Sequence, residues 1–364
     1  MDHQVPVTLG SSLLVPSVQE MARKSVLDAI PTRYIRDDVR ADLMNVRNLD
    51  ETDHLLPSLP IIDMKALLDD EGEVMDLELE KLHLACKDWG FFQLVNHNVN
   101  EHLVAKAKGG IQDFFNLSIE EKQKYWQKPG DVEGFGQAFV VSEEQKLDWG
   151  DMFFVVTQPE HQRKPYLFPL LPHPFRETLE EYSIELRNLA MKILKMMCKA
   201  LKMDIEDMKP WFENGQQAFR MNYYPPCPQP EQVIGLTPHS DAVGLTILLQ
   251  INDVEGLQIR KDGMWVPVKP LTNAFIVNVG DILEIVTNGI YRSIEHRAVV
   301  NSSKERLSIA TFHSPRVDGE IGPAPSLISS DSPPLFKRIK AEDYFKGLFT
   351  RELAGKSYLD SMRV

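Results

Sequence analysis

The chain has 364 residues, 43% apolar and 26% charged, proportions of an ordinary globular protein with room for one large domain or two modest ones. A formal net charge of −13 with no basic tract argues against nucleic acid or an anionic membrane as partner. No apolar run approaches the roughly 18 residues of a membrane span, the opening MDHQVPVTLG lacks the parts of a secretory signal, and the three cysteines are too few for a disulfide framework, so a cytoplasmic monomer is expected.

No repeat or low-complexity block interrupts the chain. Residues 1–58 read as a weakly structured lead-in with one helix over 18–30. A short strand is predicted at 59–63, where Pro60 suits a sheet edge or a strand start. A helix over 77–88 follows from Leu79, Leu82 and Cys86 at three- and four-residue steps. Gly90 stops it, and Phe91-Phe92-Gln93-Leu94-Val95 has the make-up of a buried strand. Ser118-Ile119-Glu120-Glu121 is a capping box that starts another helix. The longest helix is predicted over 177–203, with Leu179, Tyr182, Leu186, Leu189, Ile193, Met196 and Ala200 forming one apolar stripe. Its methionines fill a core rather than bind a soft metal.

From residue 217 the texture changes to short β-prone runs at 219–224, 246–251, 257–259, 265–268, 274–279, 282–286, 297–300 and 307–313. Asp262-Gly263 and Asn288-Gly289 read as hairpin turns, since both positions need φ > 0. The expected architecture is mainly β with flanking helices. A helical N-terminal domain (59–210) precedes a jelly-roll domain (211–315), and a C-terminal helical extension (316–364) carries a helix at 341–353 that covers the barrel mouth.

The sharpest signal is His239-Ser240-Asp241. In an extended segment alternate side chains share a face, so His239 and Asp241 point the same way and bite one metal from a strand edge. His296, fifty-seven residues later in a β-rich stretch, supplies a third ligand. Two imidazoles and a carboxylate on one face of an octahedral ion leave three positions open, the signature of non-haem iron(II) oxygenases. A zinc hydrolase uses a similar ligand set, but it also needs a carboxylate to activate water, and no HExxH motif is present. Ten residues beyond His296, Arg306 and Ser308 share a strand face. A guanidinium inside a barrel is costly unless a carboxylate meets it, and a dicarboxylate that chelates the metal at one end fits that need. Asn222 and Tyr224, on one face of the strand leading toward the metal strand, either hydrogen-bond the same cosubstrate or cap a core strand.

The runs RMNYYPPCPQPEQVIGLTPHSDAVGLTILLQ and WVPVKPLTNAFIVNVGDILEIVTNGIYRSIEHRAVVNSSKERLSIATF resemble the plant soluble 2-oxoglutarate/Fe(II)-dependent dioxygenases. In the N-terminal half IPTRYIR, LPIIDM, ACKDWGFFQLVNHNV and GFGQAF…EEQKLDWGDMFF are similar to that family's helical domain, most closely to the alkaloid O-demethylase branch. The resemblance implies a distorted double-stranded β-helix, Fe(II) on His239, Asp241 and His296, 2-oxoglutarate as cosubstrate, O₂ as oxidant and ascorbate as reductant. It implies oxidation of a small, largely apolar plant metabolite by hydroxylation or O-demethylation, giving succinate and CO₂. It also places an aromatic, Phe312, against substrate. Phe139, Phe153, Phe154 and Tyr344 or Phe345 are expected to complete an apolar wall. Where family members have Asn-His-Gly this chain has Asn96-His97-Asn98, and asparagine tolerates the positive φ of such a turn. His97 is expected to be structural, and His313 either to touch substrate or to face solvent. The competing class is a ligand-binding jelly roll without catalysis.

Overall fold

Side chains along the strands of the C-terminal half sort alternately to two faces, and that sorting organises the molecule. The computed structural model describes residues 12–24, 30–38, 40, 57–69, 72–212 and 215–364. The strands of its two larger sheets, in chain order, are β1 (Ile61–Asp63), β2 (Phe91–Val95), β3 (Gly134–Gly136), β4 (Asp151–Gln158), β5 (Gln216–Tyr224), β6 (Leu236–His239), β7 (Leu245–Gln250), β8 (Leu257–Lys261), β9 (Met264–Pro267), β10 (Phe275–Val279), β11 (His296–Ala298) and β12 (Arg306–Ser314). Eight form one sheet in the order β1-β2-β10-β7-β12-β5-β4-β3, and four form a second, β6-β11-β8-β9. Among these twelve strands, each pairs antiparallel with its neighbours except β1 with β2. Together the two sheets make the distorted double-stranded β-helix that the resemblance implied.

On β5 and β12 the odd-numbered Phe219, Met221, Tyr223, Leu307 and Ile309 face the helices and join the main hydrophobic core. The register pairs Arg306 with Tyr224, Ser308 with Asn222 and Phe312 with Ala218, so the even-numbered residues line the barrel interior. The long helix Phe175–Leu201 lies on the outer face, with Tyr182 5.7 Å from the Phe219 ring. Leu179, Tyr182, Leu186 and Leu189 of its stripe are at most 2% exposed, and burial of each such leucine contributes ~1.5–3 kcal/mol. Among the described residues no helix is long and apolar enough to cross a membrane.

Several elements differ from the sequence reading. The first helix is Val18–Lys24. Residues 25–29 of its predicted span lie outside the described residues, and Ile30 is not helical. The helix predicted from residue 77 starts at Glu73 and runs to Leu84, after which Ala85–Trp89 widen into a π-turn. The strands expected at 59–63 and 91–95 are present as β1 and β2, while β3 and β4, which were not expected, extend the large sheet on its other side. Residues 282–286 are not a strand but part of the helix Asp281–Val286. Every residue of it is at most 2% exposed, so no periodicity marks it, and a short apolar run reads equally as strand or helix. Asn288 and Gly289 do have positive φ, 50° and 79°. They end that helix rather than turn a hairpin: the Gly289 N–H donates to the Glu284 carbonyl at 2.8 Å. The Asp262-Gly263 turn joins β8 to β9 as expected. The C-terminal helix stops at Leu348 rather than 353.

Candidate active site

β6 is the edge strand of the small sheet and pairs antiparallel with β11, which sets His239 directly opposite His296. The ring centroids are 4.3 Å apart, and the Phe91 ring meets His296 edge-on at 5.2 Å. Asp241 lies just past the end of β6 rather than within it. It still turns inward, while Ser240 points away and donates to Asp281 Oδ2 at 3.0 Å. One ligand atom from each of His239, Asp241 and His296 falls within 4.8 Å of the others. Asp241 Oδ1 is 3.5 Å from His239 Nε2 and 3.7 Å from His296 Nε2.

Each of the three groups is held from behind. His239 Nδ1 lies 2.8 Å from the Thr237 carbonyl and His296 Nδ1 3.2 Å from the Ile294 carbonyl. A carbonyl only accepts, so both Nδ1 atoms carry the proton and both Nε2 lone pairs face the centre. Asp241 Oδ2 accepts from Thr246 Oγ1 at 2.7 Å and Asn278 Nδ2 at 2.8 Å, leaving Oδ1 directed inward. Burial alone would raise the Asp241 carboxyl, but the two imidazoles and Asn278 hold it well below the usual carboxylate range. Burial, reinforced by His239, pushes His296 down to about 4, so the imidazole is neutral and ready to ligate near pH 7. The donor set, two neutral imidazoles and one carboxylate with their outer partners in place, fits a facially bound Fe(II).

Farther along the interior, Arg306 is 2% exposed. Its Nη2 donates to Gln250 Oε1 at 3.2 Å, its guanidinium sits 5.4 Å from the Tyr224 ring centroid, and its Nε has no partner. Among the described residues no carboxylate pairs with it, and burial lowers its pKa. A Cβ at position 256 would stand 2.7 Å from Arg306 Cδ, so Gly256 makes room for the side chain. Asn222 Nδ2 reaches Ser308 Oγ at 3.5 Å across the register.

A cavity of about 730 Å³ opens beside the metal-ligand cluster and is lined by His239 and Asp241 among others. Phe139, Phe154, Phe312 and Phe345 are on its wall. Phe153 and Tyr344 are not. Phe153 sits at the opposite pleat of β4, packed on Phe114 at 4.8 Å and Tyr125 at 6.0 Å, and Tyr344 is buried against Phe345 and Tyr358. Alternation excludes Phe153, since neighbours on a strand face opposite ways. Arg306, Ser308, Asn222 and Tyr224 are not among the residues that line this cavity. His313 neither touches the cavity nor faces solvent. It is 6% exposed, with Nε2 3.2 Å from Gln217 Nε2, and burial pushes it down to about 3. The His97 ring lies tilted against Phe275 at 4.4 Å, and His97 is not part of the metal-ligand cluster. Asn98 has the expected positive φ, 60°.

Sequence reasoning missed Asn278, Thr246, Thr237 and Arg220. Asn278 carried a readable signal, a polar residue inside the apolar run Phe275–Val279, because a buried polar group in such a strand needs a partner. Thr246 and Thr237 carried none, since their role depends on register and on a backbone carbonyl. Arg220 faces the cavity next to Ala310 and donates from Nε to Asn222 Oδ1 at 2.9 Å. Among the described residues it has no carboxylate partner. Also on the cavity wall, Lys164 bridges Asp131 and Glu133, the latter at 3.2 Å.

Residues 215–315 match the model of the 2OG-Fe(II) oxygenase superfamily, and residues 59–173 match that of the non-haem dioxygenase in morphine synthesis N-terminal region. The chain belongs to the 2OG-Fe(II) oxygenase superfamily, and is a 2-oxoglutarate-dependent oxidoreductase that works with Fe(II). It is 56% identical to oxoglutarate-dependent flavonoid 7-O-demethylase 1 of Ocimum basilicum, over 98% of this chain and 93% of that protein. It is 54% identical to codeine O-demethylase of Papaver somniferum over the full length of both. The crystal structure of JOX2 in complex with 2OG, Fe and JA superposes with a TM-score of 0.84 at 36% identity, covering 96% of this chain and 98% of that one. Family membership displaces the zinc hydrolase reading.

Proposed function

We propose that the protein oxidatively O-demethylates a methoxylated, multi-ring plant metabolite, using His239, Asp241 and His296 as the iron ligands and Arg306 as the anchor for the distal carboxylate of 2-oxoglutarate. The observation that carries the cosubstrate assignment is the buried Arg306 guanidinium without a carboxylate. A solitary buried cation is expensive, and a bound dicarboxylate supplies its partner. Ser308, Tyr224 and Asn222 line the same inward face and complete that subsite. Bound iron supplies the O₂ chemistry that couples decarboxylation of 2-oxoglutarate to oxidation of a substrate carbon. The protein's own residues do the rest. The two histidine–carbonyl bonds keep Nε2 unprotonated toward the metal, and Thr246 and Asn278 fix the Asp241 rotamer. Phe139, Phe154, Phe312 and Phe345 exclude water and hold a flat apolar skeleton, and a cavity of about 730 Å³ is of the size that encloses such a ligand. The names of the flavonoid and codeine O-demethylases at 56% and 54% identity support demethylation over other outcomes. The protein acts as a cytoplasmic monomer, with O₂ as co-oxidant.

The test is anaerobic reconstitution with Fe(II), 2-oxoglutarate and ascorbate, followed by O₂ and a panel of methoxylated flavonoids and alkaloids. Succinate and formaldehyde should appear in equal amounts. Succinate with a hydroxylated product and no formaldehyde would replace demethylation by hydroxylation. Absence of succinate under every condition would return the protein to the class of ligand-binding jelly rolls.

A further inference from the structure

The backing of His239 reaches, through Thr237, to Arg36, in a part of the chain that lies outside both matched family spans. Thr237, whose carbonyl accepts from His239 Nδ1 at 2.8 Å, is itself gripped at three points. Its hydroxyl donates to Asp148 Oδ1 at 2.6 Å, its backbone N–H donates to the same oxygen at 3.1 Å, and its hydroxyl accepts from Arg36 Nη1 at 2.7 Å. Arg36 is fixed in turn. It is 8% exposed, its Nε and Nη2 donate to the two oxygens of Asp38 at 2.9 and 2.8 Å, and its backbone N–H donates to the Gln232 carbonyl at 2.8 Å. The other histidine has no such arrangement, because its acceptor residue, Ile294, has no polar side chain.

The same N-terminal segment also reaches the cavity wall. The Arg33 guanidinium donates to the carbonyls of Gln145 and Ser142 at 3.0 and 2.9 Å, and the Leu147 N–H donates to the Arg33 carbonyl at 2.9 Å. Gln145 Nε2 donates to the carbonyl of Phe139 at 2.8 Å, a wall residue with φ of 62°. Tyr34 meets Trp149 edge-on at 5.5 Å. Residues 32–36 are therefore wedged between the metal strand and the loop that carries Phe139.

We propose that Arg36 and Asp148 are positioning residues of the iron centre, setting the ring plane of His239 through Thr237. They touch neither metal nor substrate. Outer partners of metal-bound histidines orient the ring and fix its tautomer, and their loss typically weakens metal binding by about 10-fold or more. The inference rests on His239 being an iron ligand, so His239→Ala is measured alongside. Apo-protein with 2-oxoglutarate is titrated anaerobically with Fe(II), following the visible charge-transfer absorption of the ternary complex, and the apo melting temperature is recorded. Arg36→Gln, Asp148→Asn and Thr237→Val should each weaken Fe(II) binding about 10-fold and shift the absorption band. Arg36→Lys, which keeps one donor for Thr237, should recover part of the loss. Glu143→Gln, which removes only the exposed partner of Arg33, should bind iron as wild type. Unchanged iron affinity and an unchanged band in Arg36→Gln, with only a lowered melting temperature, would reduce the network to a structural strap. Should Arg36→Gln fail to fold, Thr237→Val decides, since it deletes the hydroxyl and keeps the carbonyl. Undiminished iron binding by His239→Ala would instead overturn the ligand assignment beneath the proposal.

Discussion

On the proposed ligand set, removing any one of His239, Asp241 or His296 leaves two of the three protein ligands. Each alanine variant is expected to stay folded and lose turnover, checked by succinate release together with the melting curve; turnover at the wild-type rate would free that residue from the ligand set. Arg306→Ala acts on a different partner. Truncating one side of a buried charge-assisted pair costs ~2–5 kcal/mol, so KM for 2-oxoglutarate should rise by ~30-fold or more while KM for the primary substrate moves far less. An unchanged 2-oxoglutarate KM would place the distal carboxylate elsewhere. Phe312 is half-buried, on the cavity wall, 6.5 Å from Phe154. Stacking on a planar substrate is worth ~0.5–1.5 kcal/mol beyond area burial. Phe312→Ala should therefore raise substrate KM several-fold, or raise the ratio of succinate to product, at normal iron and 2-oxoglutarate affinity. Normal coupling with a lower melting temperature would make Phe312 a packing residue.

At the scale of elements, a polar network under the cavity floor couples stability to pH. Gln217 Oε1 accepts from Thr157 Oγ1 and Ser183 Oγ, both at 2.6 Å, and Gln217 meets His313 at 3.2 Å. His313, pushed by burial from 6.5 to about 3, stays neutral in the folded state. Its contribution is present in full above the unfolded value near 6.5. It is lost as the pH falls toward about 3, because the unfolded chain takes up a proton that the folded chain refuses. The slope is at most about 1.4 kcal/mol per pH unit. His296 titrates over part of the same range in metal-free protein, so the measurement is a difference: His313→Gln should show a shallower fall of stability between pH 6.5 and 4 than wild type. Parallel curves would remove His313 as the cause. The same scale shows what a sequence conveys. β5, β7, β10 and β12 were legible because their outward faces are apolar and their ends carry turn residues. The helix Asp281–Val286 was not, since burial on every side erases the period that tells a helix from a strand. Gly90 was legible as a stop signal but not as a contact. A Cβ there would stand 2.1 Å from the Arg292 carbonyl oxygen, and its φ is 62°, so Gly90→Ala should destabilise by at least ~1–3 kcal/mol, read by denaturant unfolding.

Across the whole molecule, the clustering of His239, Asp241 and His296 and the buried position of Arg306 were readable because spacing along extended backbone places side chains by parity, without knowledge of the tertiary fold. The cavity wall was only half readable. Phe139, Phe154, Phe312 and Phe345 come from separate segments whose meeting depends on long-range packing, and Phe153 and Tyr344 differ from true wall residues only in which way their element faces. Glu284 shows the same dependence. Its carboxylate is fully buried and meets Lys356 at 2.9 Å, Arg363 at 3.1 Å and the Ser293 N–H at 2.8 Å. It thereby docks the C-terminal segment on the barrel, and nothing in its local sequence announces those partners.

That docking has a consequence for how the protein is made. The Gly355 carbonyl accepts from the Ser240 N–H at 3.2 Å, and its N–H donates to the Pro238 carbonyl at 3.0 Å, so the outer edge of the strand bearing His239 is completed by a residue far downstream. A ribosome adds ~5–20 residues per second. His296 therefore exists for roughly 3–12 seconds before Gly355 is synthesised. During that interval all three prospective ligands belong to a nascent chain whose β6 edge still lacks its partner. On the proposed ligand set, the backbone geometry around His239 is completed only once the C-terminal segment has been made, after the synthesis of every ligand.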